Sequence, residues 1–117
     1  MQAAVDDAEC PIYLNLDLRE RHFGEFELQD STNYDKVWEE DLKSADHHVY
    51  AVESVSEVVL RTSRAIEQAE RHYKEADILF VSHGDCLQIM QTIFLDVPGE
   101  SHRSLPHLET CELRRLN

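Results

Sequence analysis

The sequence predicts an α/β fold in which strands alternate with helices. A long amphipathic helix is predicted from Ser54 to about Lys74, an apolar run follows at residues 78–81, and a second apolar helix follows that run at residues 86–95. Strands and helices in such an order pack as layers joined by crossover connections. We therefore expect an α/β sandwich built around a parallel sheet.

The composition permits a folded core and limits the kinds of partner. The 117 residues include 11 Lys and Arg against 24 Asp and Glu, a formal charge of −13, and 42% are hydrophobic. This apolar fraction, with only three Gly and three Pro, is unlike that of disordered or collagen-like chains. Negative charge repels phosphate backbones and anionic lipids, so we expect neither nucleic-acid nor membrane-surface binding. An anionic substrate would need a local basic pocket.

The N-terminal residues and the cysteines predict a cytoplasmic protein. Residues 1–10 are acidic and lack the basic start and apolar run of a signal peptide. The longest apolar stretches are far shorter than the roughly 20 residues that span a bilayer. Cys10, Cys86 and Cys111 are odd in number and never form a C-x-x-C pair. We expect three reduced thiols rather than a disulfide scaffold or a zinc ribbon.

The first half of the chain has weak secondary-structure signals. Residues 11–16 contain Ile and Tyr among dense apolar positions, which predicts a short, largely buried strand. Charged residues then concentrate in residues 17–24. From residue 25 to residue 52 the pattern is irregular, and Val37, Trp38 and Leu42 indicate only one or two helical turns.

The second half has stronger signals. Ser54 and Glu57 fit an S-x-x-E capping box, and apolar residues recur after them at helical spacing. The uninterrupted apolar run at residues 78–81 predicts a central parallel strand covered on both faces. The following helix is stopped by the Pro-Gly pair at residues 98–99, and residues 110–116 are predicted as a closing strand.

The first candidate for chemistry is His83, which lies where the central strand ends and a helix begins. Ligands bind at that edge of open α/β sheets. Gly84 lets the backbone turn and approach a ligand, and the free N–H groups of a helix start favour an anion. An imidazole changes charge near neutral pH, so His83 could hold phosphoryl oxygens or exchange a proton. The alternative is a histidine that merely caps the helix or lies at the edge of the core.

The second candidate is the Leu-Arg-Glu-Arg-His-Phe-Gly segment at residues 18–24. Arg19 and Arg21 flank the carboxylate of Glu20, and a guanidinium fork matches phosphate oxygens in pairs. A carboxyl group beside bound phosphate could act as a general acid. The alternative is a solvated charged turn, which is the commoner fate of such a triplet.

Two further groups of residues have weaker signals. Arg61 lies at the border between the apolar and polar faces of the long helix, where arginines usually pair with a carboxylate or keep the head group in water. Asp46, His47 and His48 could form a metal cluster, but no further ligand stands at a recognisable spacing. We therefore expect a surface turn there and no metal site.

Together these motifs resemble the histidine phosphatase superfamily, the phosphoglycerate mutase-like proteins. Residues 18–24, Glu53 at the head of the helix that contains Arg61, and Val-Ser-His-Gly at residues 81–84 occur in that order. The resemblance covers roughly residues 10–117. It implies a three-layer α/β/α sandwich of the phosphoglycerate mutase type, with residues 1–117 forming a single partial domain.

The resemblance also implies a reaction, that of a phosphomonoester hydrolase or a phosphomutase. Such an enzyme acts on a small phosphorylated metabolite through a phosphohistidine. His83 matches the second histidine, which steadies the phosphoryl group, and Glu20 matches the proton donor. The residues implied in substrate binding are Arg21, Arg19, Gly84 and Arg61. No metal or other cofactor is implied, because fixed cations and the helix start stabilise the charge.

The sequence departs from this family at one point. Members open with a strand that ends in Arg-His-Gly, whose histidine is the nucleophile, and the two Arg-His pairs here, at residues 21–22 and 71–72, precede Phe and Tyr. We therefore expect an N-terminally truncated sandwich that is inactive as an isolated chain, or alternatively a non-catalytic phosphate-binding or interaction remnant. The family's opening strand lies beside residues 78–81, so self-association through an exposed strand edge is also expected.

Overall fold

The computed structural model describes residues 12–116. Over this part of the chain it contains three α-helices, α1 (Tyr34–Lys43), α2 (Val55–His72) and α3 (Gly84–Leu95). Short 3-10 helices are formed by Leu16–Leu18, Gly24–Phe26, Ser31–Asn33, Val49–Ala51 and Gly99–Ser104. No β-strand forms between residues 12 and 116. The predicted three-layer α/β/α sandwich is therefore wrong for the described residues.

The predicted strands fail because a strand needs a hydrogen-bonded neighbour. No backbone hydrogen bond within residues 12–116 joins residues 12–16 or residues 78–81 to another extended segment. Their side chains are correspondingly open, with Leu14 99% and Leu79 58% exposed. Pro11, the first residue of the predicted strand 11–16, lies outside the described residues. The predicted closing strand at residues 110–116 instead begins with a turn.

Two contacts connect residues close to these apolar segments. The rings of Tyr13 and Tyr73 are 6.0 Å apart, and the Ser82 hydroxyl donates a hydrogen bond of 2.6 Å to the Leu18 carbonyl. Neither contact forms part of a sheet, because no backbone ladder joins the segments within residues 12–116.

The predicted start of α2 is confirmed. The Ser54 hydroxyl accepts a hydrogen bond from the Glu57 N–H (3.1 Å), and the Glu57 carboxylate accepts one from the Ser54 N–H (3.2 Å). The helix ends at His72, two residues before the expected end. Its buried positions recur at the predicted spacing, so α2 presents one continuous face to the core.

The main core lies between α2 and α3. Its fully buried members are Val55, Val58, Ile66, Cys86, Ile89 and Met90. Burying each large aliphatic side chain stabilises the fold by roughly 1.5–3 kcal/mol. Within residues 12–116 both cysteines are free thiols, and burial raises the pKa of the Cys86 thiol. Cys10, predicted to be reduced as well, lies outside the described residues.

A smaller core cluster joins α1 to the preceding loop. Val37 of α1 packs with Phe23 and Val52, and all three are buried. With ten residues α1 is longer than the one or two turns expected from the sequence. Among the described helices, none has both the length and the apolar character needed to cross a membrane.

Candidate functional site

The N terminus of α3 contains the first predicted site residue. His83 caps the helix in an extended conformation, and its side chain is exposed and makes no hydrogen bond with residues 12–116. The first helical bond runs from the Leu87 N–H to the His83 carbonyl. The N–H groups of residues 84–86 therefore have no acceptor inside the helix.

Glu20 lies at this helix start. Its carboxylate accepts hydrogen bonds from the N–H groups of Cys86 (2.9 Å) and Asp85 (3.3 Å), and also from the Arg21 N–H (2.8 Å). The positive end of the helix dipole favours a carboxylate there. The structure thus brings Glu20 beside the His83–Gly84 turn. The Gly84 N–H makes no hydrogen bond within the described chain and remains open to a second anion.

Arg21 lies inside the protein, beneath that helix start. Its guanidinium donates to both carboxylate oxygens of Asp41 (2.7 and 2.8 Å) and to one oxygen of Asp85 (3.1 Å). Its Nε donates to the Glu53 carbonyl at 2.8 Å. These contacts make Arg21 a support for the first turn of α3. The substrate contact that the resemblance implies for Arg21 stays a prediction.

Arg61 fixes the segment that leads to Glu20. It donates to both carboxylate oxygens of Glu53 (2.8 and 3.0 Å) and to the carbonyls of Asp17 (2.7 Å) and Arg19 (2.9 Å). Burial alone would raise the pKa of Glu53, but the hydrogen bonds from Arg61 and the His22 N–H lower it below its usual value. The exposed side chain of Arg19 donates to the Leu16 carbonyl. The roles of Arg61 and Arg19 in substrate binding stay predictions.

A buried ion network centred on Asp41 lies behind the site. Besides its two bonds to Arg21, Asp41 contacts His47 Nε2 at 2.7 Å and His102 Nε2 at 2.9 Å. Burial alone would raise the pKa of Asp41, but the hydrogen bonds from Arg21, His102 and His47 outweigh it and hold the pKa far below its usual range. Asp41 therefore stays ionised at neutral pH.

The same network contains side chains of the kinds that ligate metal ions. Asp41, Asp85 and His102 are buried and close enough to ligate one ion. However, both oxygens of Asp41 already accept bonds from Arg21, and Arg21 and Arg103 both donate to Asp85. Two guanidinium groups thus occupy the carboxylates and supply the positive charge that an ion would bring. The cluster is an ion-pair network.

The side chains of Asp46, His47 and His48 have separate partners. His47 bonds Asp41, as described above. His48 Nδ1 lies 3.0 Å from the Val52 carbonyl, and Asp46 accepts a hydrogen bond from the Ser56 hydroxyl. The three side chains do not converge on one point. The backbone turns at residues 45–46, but the His47 side chain is nearly buried against Asp41 and so does not lie at the surface as expected.

A cleft of ≈ 220 Å³ opens beside Glu20 and Gly84. The guanidinium of Arg103 lies 3.7 Å from the centre of the Trp38 ring, and its Nη1 donates to Asp85 at 3.1 Å. The other lining residues are Phe23, Tyr34, Gln88, His107 and Leu108. A larger cavity of ≈ 450 Å³ lies between the end of α1 and the start of α2. It contains none of the predicted site residues, so the smaller cleft is the candidate site.

Sequence reasoning missed the residues that form the wall of this cleft. Tyr34 and Trp38 fall in the segment with a weak pattern, and Arg103 falls in a late loop without a motif. They come together because α1 packs against the 3-10 helix Gly99–Ser104, which contains Arg103, and because Trp38 donates a hydrogen bond to Asp85 in the first turn of α3. Asp85 was the one residue with an available signal, since it directly follows His83 and Gly84.

Comparison with known protein families decides the classification. A model of the histidine phosphatase superfamily (branch 1) matches residues 1–117. The chain belongs to the histidine phosphatase superfamily. The predicted family is thus confirmed. No curated protein matches this sequence.

One solved structure supports the fold of this histidine phosphatase superfamily member. The α-ribazole phosphatase from Shigella flexneri is similar with a TM-score of 0.69 and 20% sequence identity, over 92% of this chain and 55% of that protein. The present chain therefore spans about half the length of that phosphatase. The likeness shows a shared backbone path, even though residues 12–116 form no strand.

Proposed function

We propose that this chain binds a phosphomonoester at the start of α3, as part of a phosphohistidine-type hydrolase or phosphomutase. The observation that supports this best is the position of Glu20, whose carboxylate is held by the N–H groups of Asp85 and Cys86 next to the exposed His83. A carboxylate and an imidazole lie at one helix start, where anions are favoured. Membership of the histidine phosphatase superfamily agrees with this chemistry.

Each group has a defined role in the proposal. Protonated His83 and the Gly84 N–H bind the phosphoryl oxygens and stabilise the negative charge that develops on them. In a complete phosphohistidine-type site a nucleophilic imidazole forms a bond to phosphorus as the bond from phosphorus to the leaving oxygen breaks, and Glu20, protonated while the phosphate ester is bound, gives its proton to that oxygen. Arg21 and Arg61 hold the backbone that positions Glu20, through their contacts with Asp85, Glu53 and the preceding loop.

We expect the isolated chain to bind phosphate without turnover. The superfamily resemblance requires an Arg-His-Gly nucleophile, which this sequence does not contain. The histidines of its two Arg-His pairs lie away from the start of α3: His22 is in the exposed loop beside Glu27, and His72 ends α2. This observation also favours the second candidate function, a phosphate-binding module without catalysis.

Phosphate binding and turnover should be measured together. We expect inorganic phosphate to bind in isothermal titration calorimetry, and His83→Ala to weaken binding. His72→Ala is the matched control, because His72 is also exposed but lies at the far end of α2. Equal phosphate binding by the wild type and His83→Ala would contradict the proposed site.

The expected lack of turnover is tested by measuring the hydrolysis of p-nitrophenyl phosphate at about pH 5 to 8, the range in which imidazole titrates. We expect no turnover above that of His83→Ala and no phosphorylated protein by intact mass. A phosphohistidine adduct would show that the chain supplies its own nucleophile and would exclude the non-catalytic alternative.

A further inference from the structure

The cleft beside Glu20 has an aromatic wall that phosphate binding alone does not explain. The Tyr34 ring stacks on the buried Phe23 ring, with the two planes 9° apart and the centroids 3.9 Å apart. Trp38 meets Tyr34 edge-on at 6.3 Å. Tyr34 and Trp38 are only half-buried, so parts of both rings face the cleft. Since Phe23 and α1 fix them from behind, the wall is preorganised.

Arg103 adds a flat cation to this wall. Its guanidinium stacks against Trp38 at 3.7 Å, and Asp85 holds it from one side. The side chain keeps 21% of its surface exposed. Its Nη2 also lies 3.3 and 3.1 Å from the two ring nitrogens of His107, so the part of the guanidinium that stays exposed is the part that can attract an aromatic ring through its π electrons.

The Tyr34 hydroxyl remains a neutral donor within this wall. Burial and the nearby charges of Glu27, Glu20 and Asp85 raise the pKa of Tyr34. A neutral phenol adds no charge that would repel an aromatic ring. Tyr34 therefore contributes apolar surface and one O–H group near the proposed proton donor.

The size of the cleft limits the group that it can take. Pockets for drug-sized ligands measure about 300–1,000 Å³, whereas this cleft measures ≈ 220 Å³. It therefore suits one small ring system. Glu20 lines the cleft, and in the proposed reaction it gives its proton to the leaving group. The leaving group is therefore the part of the substrate that would lie in the cleft.

We propose that this cleft is a leaving-group subsite that selects phosphomonoesters of planar aromatic alcohols. In this arrangement the ring lies against the exposed part of the Arg103 guanidinium and the edges of Tyr34 and Trp38. The inference rests on the proposed phosphomonoester binding at His83 and adds the substrate class to it.

The single tryptophan of the chain makes the subsite directly observable. Phenyl phosphate, glycerol 2-phosphate and inorganic phosphate should be titrated by calorimetry and by Trp38 fluorescence. We expect phenyl phosphate to bind about tenfold more tightly than glycerol 2-phosphate, as aromatic and cation–π contacts of ordinary strength predict. We also expect it to change the Trp38 emission.

Variants of Arg103 test the wall itself. Arg103→Met removes the flat cation, and Arg103→Lys keeps the charge but not the stacking plane, so both should reduce the tenfold ratio. Arg115→Met is the control, because Arg115 is exposed and does not line the cleft. Thermal denaturation of each variant shows whether it is folded.

The outcomes separate this inference from the proposed function. Equal affinities for phenyl phosphate and glycerol 2-phosphate, or a ratio unchanged in both Arg103 variants, would overturn the aromatic subsite. In that case phosphate binding that depends on His83 would still stand. Failure of all three ligands to bind would overturn the proposed function together with this inference.

Discussion

Asp41 is a buried carboxylate at the centre of the ion network behind the candidate site. It is fully buried and accepts hydrogen bonds from Arg21, His47 and His102. Through Arg21 it is linked to Asp85, the second residue of α3. A loss at Asp41 would therefore leave the buried Arg21 guanidinium with Asp85 as its one remaining carboxylate partner among the described residues, directly beneath the candidate site.

We predict that Asp41→Asn destabilises the protein by about 3–5 kcal/mol, the usual result of breaking a buried ion pair. The effect should depend on pH. Since the pKa of Asp41 is lowered by folding, its contribution is complete above the unfolded value of about 3.9 and is lost as the pH falls below it. The free energy of unfolding, measured by urea titration, should thus differ less between the two proteins under acid conditions.

Asp35→Asn serves as the control for this prediction. Asp35 lies in the first turn of the same helix, where its exposed carboxylate interacts with the positive end of the helix dipole. Its removal should cost less than about 1 kcal/mol. Similar losses in the two variants at neutral pH would show that the network around Asp41 adds no stability.

The loop that contains the predicted Glu20 motif ends at a position only glycine can occupy. Gly24 has a φ of +53°, and a Cβ atom there would lie 2.3 Å from the Tyr50 carbonyl oxygen. This contact joins two 3-10 helices, Gly24–Phe26 and Val49–Ala51. The sequence identified the glycine as part of a motif, but only the structure supplies its reason.

We predict that Gly24→Ala destabilises the protein by at least about 1–2 kcal/mol, the cost of a left-handed conformation for an L-residue, plus the steric overlap. Gly84→Ala is the matched control, because a Cβ there would meet nothing within 4 Å. Thermal denaturation should separate the two. Equal melting temperatures for Gly24→Ala and the wild type would show that the loop relaxes around the added methyl group.

Elements that depend on local signals could be predicted, and elements that depend on distant partners could not. The capping box of Ser54 and Glu57 defines the start of α2 within four residues of sequence, and it was found correctly. The apolar run at residues 78–81 indicates burial, yet burial as a strand requires neighbours that residues 12–116 do not supply. Helix α1 was underestimated because Val37 is its only buried apolar residue.

The same distinction applies to the candidate site. The motifs of Glu20 and His83 could be recognised separately, but only His83 was expected at a helix start; the position of Glu20 at the same helix start is visible only in the structure. The wall of Tyr34, Trp38 and Arg103 could not be predicted. It depends on the packing of α1 against the 3-10 helix Gly99–Ser104 and on the hydrogen bond from Trp38 to Asp85, which no local spacing encodes.

At the scale of the whole molecule, a strongly acidic composition is combined with exposed apolar side chains. The formal charge of −13 favours separation of the molecules at low ionic strength. Against this, residues 12–16 and 78–81, together called the apolar region, expose large apolar side chains. Ion screening weakens the repulsion but leaves apolar attraction intact, so added salt should favour contact between these regions.

We therefore predict that two copies of the chain associate through this apolar region and that salt promotes the association. Burying it recovers about 25 cal/mol per Å² of apolar surface, and unpaired backbone groups could form a ladder between copies. Sedimentation velocity at rising protein and salt concentrations should show an increasing mass, and Leu14→Lys with Leu79→Lys should abolish the increase. Leu28 is an exposed leucine outside both segments, so Leu28→Lys should leave the increase in mass unchanged. A mass that stays monomeric in high salt would contradict the prediction.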